Sequence, residues 1–98
     1  MKQGNTREFL ETIEAQDAYV HYRDRFFFVN GGCTFKTEDG KKVTQIEMYE
    51  LESDHGRAIA DVCSITRPTV EEMIEAFTHI PLIDGKTFWE LENELEWV

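Results

Sequence analysis

Three short turn signals constrain this chain more than any other feature. They are Asn30-Gly31-Gly32, Glu38-Asp39-Gly40-Lys41 and Ser53-Asp54-His55-Gly56. Gly, Asn and Asp supply the backbone geometry of tight turns. None of these connections approaches the dozen or so residues that a parallel crossover needs. The segments between them are rich in β-formers and predict a four-stranded antiparallel meander over residues 18–29, 33–37, 43–51 and 58–65. Within the first segment, Asp24-Arg25 is either a turn or bulge between two short strands, or the strand runs through. Phe26, Phe28 and Tyr22 fall on one face of a continuous strand, with Phe27 and Val29 on the other. One helical layer buries one face, so the second face calls for another layer, and a homodimer is one way to supply it.

Helices flank this meander. Residues 5–15 predict a helix capped by Asn5, with Glu8 at the capping-box position and Phe9, Leu10 and Ile13 on one stripe. Thr69-Val70-Glu71-Glu72 is a second capping box, followed by Val70, Met73, Ile74 and Phe77 at helical spacing, and this helix should stop near Pro81. Residues 87–98 carry conflicting signals. Thr87-Phe88-Trp89-Glu90 is a third capping box, and Phe88, Leu91, Leu95 and Val98 fit a helical stripe. Trp89, Leu91, Leu95 and Trp97 alternate with glutamates as in a strand. The helix propensity of Leu and Glu favours a helix, as does the repulsion of four glutamates along one strand face, and the last three residues are the part that turns extended if any does. The expected fold is therefore α+β: an N-terminal helix, the meander, and two C-terminal helices packed on the sheet, in a single domain spanning residues 1–98.

Composition narrows the function classes. Aromatic residues make up 12% of the 98 positions, too many for a disordered chain and enough for a packed core. The formal net charge is −10. Such a surface repels nucleic-acid phosphates and anionic membranes, so neither is expected as a direct partner. The acidity is concentrated: residues 69–98 hold eight acids and one base, whereas residues 1–68 hold twelve acids and nine bases. No apolar segment follows Met1, which predicts a cytoplasmic protein with Cys33 and Cys63 as reduced, partly buried thiols.

No motif points to a cofactor or a metal. The three histidines lack metal-ligand spacing, and a zinc site from Cys33, Cys63 and a distant His has no signature behind it. Asp54-His55 reads as a polar turn rather than an oriented base, because no nucleophile elbow accompanies it. Asp61, among apolar residues, is expected at a sheet edge or beside an Arg. Gly85-Lys86-Thr87 lacks the upstream glycine of a phosphate loop, since position 80 is Ile. Arg23, Arg25 and Lys36 could share a basic patch, but Arg23 and Arg25 flank a Phe run and read as gatekeepers there.

A non-enzymatic protein-interaction or regulatory domain is the leading expectation, with another protein as its partner and a basic surface on that partner as the natural complement. The candidate surface is Trp89, Glu90, Glu92, Glu94, Glu96 and Trp97, an aromatic pair with flanking charge. Its alternative is that the Trp residues fill the core and the glutamates are solvated. Two further readings stand beside it. One is an acidic mimic of nucleic acid that inhibits a DNA-binding protein or nuclease, with Glu90/Glu94 and Glu92/Glu96 as carboxylate rows on a helix. The other is a small enzyme or ligand-binding domain built from His21, His55, Asp61 and Cys63.

Overall fold

A computed structural model describes residues 2–3, 6–13, 16–91 and 94–97. In chain order the elements are β1 (Lys2–Gln3), α1 (Thr6–Ile13), β2 (Ala18–Tyr22), β3 (Arg25–Lys36), β4 (Lys42–Leu51), β5 (Ala58–Arg67), α2 (Val70–His79), α3 (Phe88–Leu91) and β6 (Leu95–Trp97). The strands form one antiparallel sheet in the order β1-β6-β2-β3-β4-β5. The expected α+β class and antiparallel meander are both present, and two strands extend the sheet beyond β2, first β6 and then β1. The Asn5 cap lies outside the described residues.

The meander's first hairpin turns earlier than the glycines suggest. Tyr22 pairs with Arg25, so Arg23 and Asp24 alone make the turn, and Arg23 takes the left-handed conformation with φ 58°. This two-residue turn corrects the expected alternation. Tyr22 now shares a face with Phe27 and Val29, while Phe26 and Phe28 point the other way. Asn30-Gly31-Gly32 is not a turn. β3 runs through it with a register shift between Asn30 and Cys33. Gly31 is needed there for close approach: a Cβ would fall 1.9 Å from the Gln16 carbonyl oxygen and 2.6 Å from that of Ile13. The Gly31 N–H donates to the Asp17 carboxylate at 3.1 Å. The chain reverses instead at Gly40, whose φ is 84°, with the Gly40 N–H donating to the Thr37 carbonyl.

The C-terminal segment is also corrected. The Thr87 capping box forms, with the Glu90 carboxylate accepting from the Thr87 N–H at 3.0 Å, but the helix lasts one turn. Leu95 and Trp97 then pair as β6 with Tyr22 and Val20 of β2. The expected glutamate repulsion does not arise, because Glu96 is the strand's one acid and its cross-strand neighbours are His21 and Gln3. Glu90 serves the α3 cap, and Glu94 pairs with Arg23 at 3.0 Å. α2 follows expectation: Thr69 Oγ1 accepts from the Glu72 N–H, and the helix ends before Ile80-Pro81.

The three helices pack on one face of the sheet. Phe9, Ile13, Met73, Phe77, Phe88 and Leu91 meet Val20, Tyr22, Phe27, Val29, Ile46, Met48, Leu95 and Trp97 in one buried cluster. Phe9 stacks on Phe88 at 4.7 Å between centroids and meets Trp97 edge-on at 5.2 Å. Arg25 seals one end of this layer. It donates two bonds to the Glu50 carboxylate, at 2.8 and 3.0 Å, and a third to Asp84 at 3.0 Å. Its hydrogen bonds to Glu50 hold the Arg25 pKa above its ordinary value and the Glu50 carboxyl below its own. Arg25 is thus an ion-pair hub rather than part of a basic patch, since Lys36 sits at the opposite end of β3.

Gly31→Ala should lower the unfolding free energy by at least about 2 kcal/mol, because backbone must move to admit the methyl. Gly40→Ala, in open space but at positive φ, should cost about 1 kcal/mol. Urea denaturation of both variants checks the order, and a milder loss at Gly31 than at Gly40 contradicts it.

Candidate functional site

The residues opposite the helices form the candidate site. Antiparallel register aligns them in rows across the strands. One row runs Glu96, His21, Phe26, Leu51, Ala58 from β6 to β5. The next runs Tyr19, Phe28, Tyr49, Asp61, and a third Asn30, Glu47, Ser64. Among the described residues no helix covers these positions. Tyr19, Phe26, Phe28 and Tyr49 are half-buried. Tyr19 and Phe28 lie 5.0 Å apart, and His21 meets Phe26 edge-on at 4.8 Å.

The β4–β5 loop folds over one end of this face. His55 adopts φ 58° and sits 3.8 Å from the Tyr19 ring. The Asp54 carboxylate accepts from His21 Nε2 at 2.9 Å and from His55 Nδ1 at 2.8 Å. These bonds, His21's first, hold the Asp54 carboxyl below the ordinary aspartate range. Leu51, 7% exposed and outside the main core cluster, belongs to the row beside this loop.

At the other side, Tyr49 donates its hydroxyl proton to Glu47. That bond, partial burial and the charges of Glu47 and Asp61 push the Tyr49 hydroxyl up to about 12. Asp61 is exposed on β5, an edge strand, in keeping with its expected edge position. Two register shifts interrupt β5 against β4, a device that blunts an exposed edge.

The residues expected from sequence are distributed differently. Trp89 is 47% exposed on α3, whereas Trp97 is 5% exposed and belongs to the core. Glu90, Glu94 and Glu96 are exposed, but they lie on a helix cap, a turn and a strand. The rows Glu90/Glu94 and Glu92/Glu96 of a continuous helix do not form, and Glu92 lies outside the described residues. Of the four residues considered for an enzyme, His21 and His55 meet at Asp54, and Asp61 lies across the face beside Tyr49. Cys63 packs against the core, where burial pushes its thiol up to about 11. Cys33 is exposed rather than partly buried. Among the described residues, no group of three or more His, Cys, Asp or Glu side chains is arranged to hold a metal ion, and no helix is long and apolar enough to cross a membrane.

Sequence reading missed Tyr19, Phe28, Tyr49 and Glu47 as a surface. The available signal was the clean alternation of Ala18, Val20 and Tyr22 with Tyr19 and His21, continued past a two-residue turn rather than along one strand. No protein-family model, curated protein or solved structure matches this chain.

The Asp54 contacts carry a pH dependence. Its folded carboxyl titrates below its unfolded value, so these bonds stabilise the loop above the ordinary aspartate range and are lost as pH falls through the lowered value. Followed by NMR, the Asp54 carboxyl carbon should titrate below the ordinary aspartate range, and its midpoint should rise in His21→Phe. An unchanged midpoint in that variant contradicts the role given to His21.

Proposed function

We propose that this chain is a non-enzymatic protein-interaction domain that recognises its partner through the open face of the sheet. The observation behind this reading is the set of aromatic rows on a face that the helical layer leaves uncovered. Contiguous apolar surface ringed by polar groups is how interaction sites look on soluble domains, and Tyr and Phe are enriched at interface centres. A β-sheet also holds such rings in fixed positions, so little side-chain entropy is lost on docking. Trp89 on α3 and Phe35 near the end of β3 are the exposed aromatics among the described residues. Trp97 is not available as an anchor, since removing it from the core would open a cavity against Phe9.

The reading is tested by affinity capture with the full chain as bait. Phe28→Ser removes a central ring from the face without touching the helical layer, and it should lose the specific partner while melting close to wild type. Hot-spot truncations of this kind weaken binding by about thirtyfold, equivalent to about 2 kcal/mol. Trp89→Ala should retain the partner. A captured set that is identical for wild type and Phe28→Ser, or no specific partner at all, contradicts the proposal.

A further inference from the structure

We infer that the occupant of the open sheet face is a cationic polypeptide segment, one whose arginine and lysine side chains lie over the aromatic rows and reach the carboxylates at their margins. This rests on the reading of the face as an interaction surface and adds the chemistry of the partner.

Among the described residues, carboxylates stand at the outer strand positions without a Lys or Arg beside them, and the loop carboxylate, Asp54, is already bonded to His21 and His55. The acidic side chains at outer positions are Glu47, Asp61 and Glu96, with Asp54 set over the same face by the β4–β5 loop. Among the described residues, no Lys or Arg occupies an outer position of β2–β6. The cations nearest in sequence are already engaged elsewhere: Arg23 with Glu94, Arg25 with Glu50 and Asp84, and Arg57 with Glu52. Lys36, Lys41 and Lys42 sit around the far hairpin. Glu47 and Asp61 flank Tyr49, whose hydroxyl donates to Glu47 and whose cross-strand neighbour on β5 is Asp61. Like charges gathered without cations are costly in the free domain, and an incoming cation relieves that cost.

The rings suit the same chemistry. A guanidinium over an aromatic face gains roughly 0.5–2 kcal/mol, and Arg does this better than Lys because it is planar and weakly hydrated. The fold already uses this contact, with Arg23 5.0 Å from the Tyr22 centroid and Arg25 5.3 Å from that of Phe27. Phe28 and Tyr49 are half-exposed rings in one row ending at Asp61, and Tyr19 at the other end of that row already carries the His55 ring.

Charge also argues against the other occupants. A twofold dimer through this face would set one acidic patch against an identical one, because an isologous interface uses the same surface on both subunits. A nucleic-acid strand would stack its bases well on these rings, but its phosphates would meet the carboxylates.

The test is an NMR titration of the isotope-labelled full chain with a synthetic arginine–serine repeat peptide, with a glutamate–serine repeat and oligothymidylate as comparators. The arginine peptide should shift resonances of Tyr19, His21, Phe28, Glu47, Tyr49 and Asp61. Affinity should fall about tenfold in the double variant Glu47→Gln, Asp61→Asn, and by a similar factor from low to physiological salt. Phe28→Ser, which leaves the charge unchanged, should weaken binding as well, and this separates the site from general attraction to an acidic protein. Both variants are checked for wild-type melting. Shifts confined to the exposed Glu71, Glu72 and Glu75 of α2, no binding, or equal binding by the double variant overturn the inference. So do saturable binding of either comparator to the face and concentration-dependent broadening of Tyr19 and Phe28 without peptide, which marks a second copy. If the captured partner docks on this face through an acidic or uncharged segment, the inference fails while the interaction reading stands.

Discussion

The two-residue turn at Arg23-Asp24 sets which rings lie inside this protein. It places Tyr22 opposite Arg25, and the pleat then sends Phe27 and Val29 toward the helices and Phe26 and Phe28 away. Side chains alternate with period two, so a slip of one residue would exchange the two sets. The choice passes from strand to strand. Val29 aligns Met48, Phe28 aligns Tyr49, and these in turn align Cys63 and Asp61. β6 obeys the same rule from the other side, with Leu95 and Trp97 inward and Glu96 outward. The aromatic outer face therefore follows from one turn.

Packing and charge support that choice unequally. On the inner face, each fully buried Phe or Leu contributes about 1.5–3 kcal/mol, and Phe88 stacks on Phe9 and meets Phe77 at a tilt, while Trp97 meets Phe9 edge-on. Cross-strand ring pairs on the outer face contribute only about 0.2–1 kcal/mol each. The inner face dominates stability, which leaves the outer rings free to serve recognition. Arg25 links the two roles. Its fork on Glu50 joins β3 to β4, and its third bond ties the segment between α2 and α3 to the sheet through Asp84.

Much of the scaffold is legible in the residues. α2 is written by Thr69, Glu72 and the Val70-Met73-Phe77 spacing, and the turn at Gly40 by Asp-Gly. Two signals mislead for identifiable reasons. Asn30-Gly31-Gly32 has the composition of a turn, but Gly31 is there because the end of α1 approaches too closely for any side chain. Residues 87–98 satisfy a helix locally, yet the open edge of β2 rewards Leu95 and Trp97 for pairing as a strand, a gain that no local propensity reports. The surface was the least legible part. Its residues are dispersed over β2 to β6, and they become neighbours only once the register is known. A contiguous run such as Trp89 to Trp97 draws attention in the sequence, but half of that aromatic pair belongs to the core.

The most direct test of this account is solvent paramagnetic relaxation of ring and methyl protons, using a neutral soluble probe on the free protein. The account predicts alternation along one stretch of chain: strong relaxation at Tyr19, Phe26 and Phe28, and protection at Val20, Tyr22, Phe27 and Val29. Protection of both sets would mean that the outer face is covered. Relaxation at Phe27 and Tyr22 with protection at Phe28 would mean that the register is reversed, and either result contradicts the account.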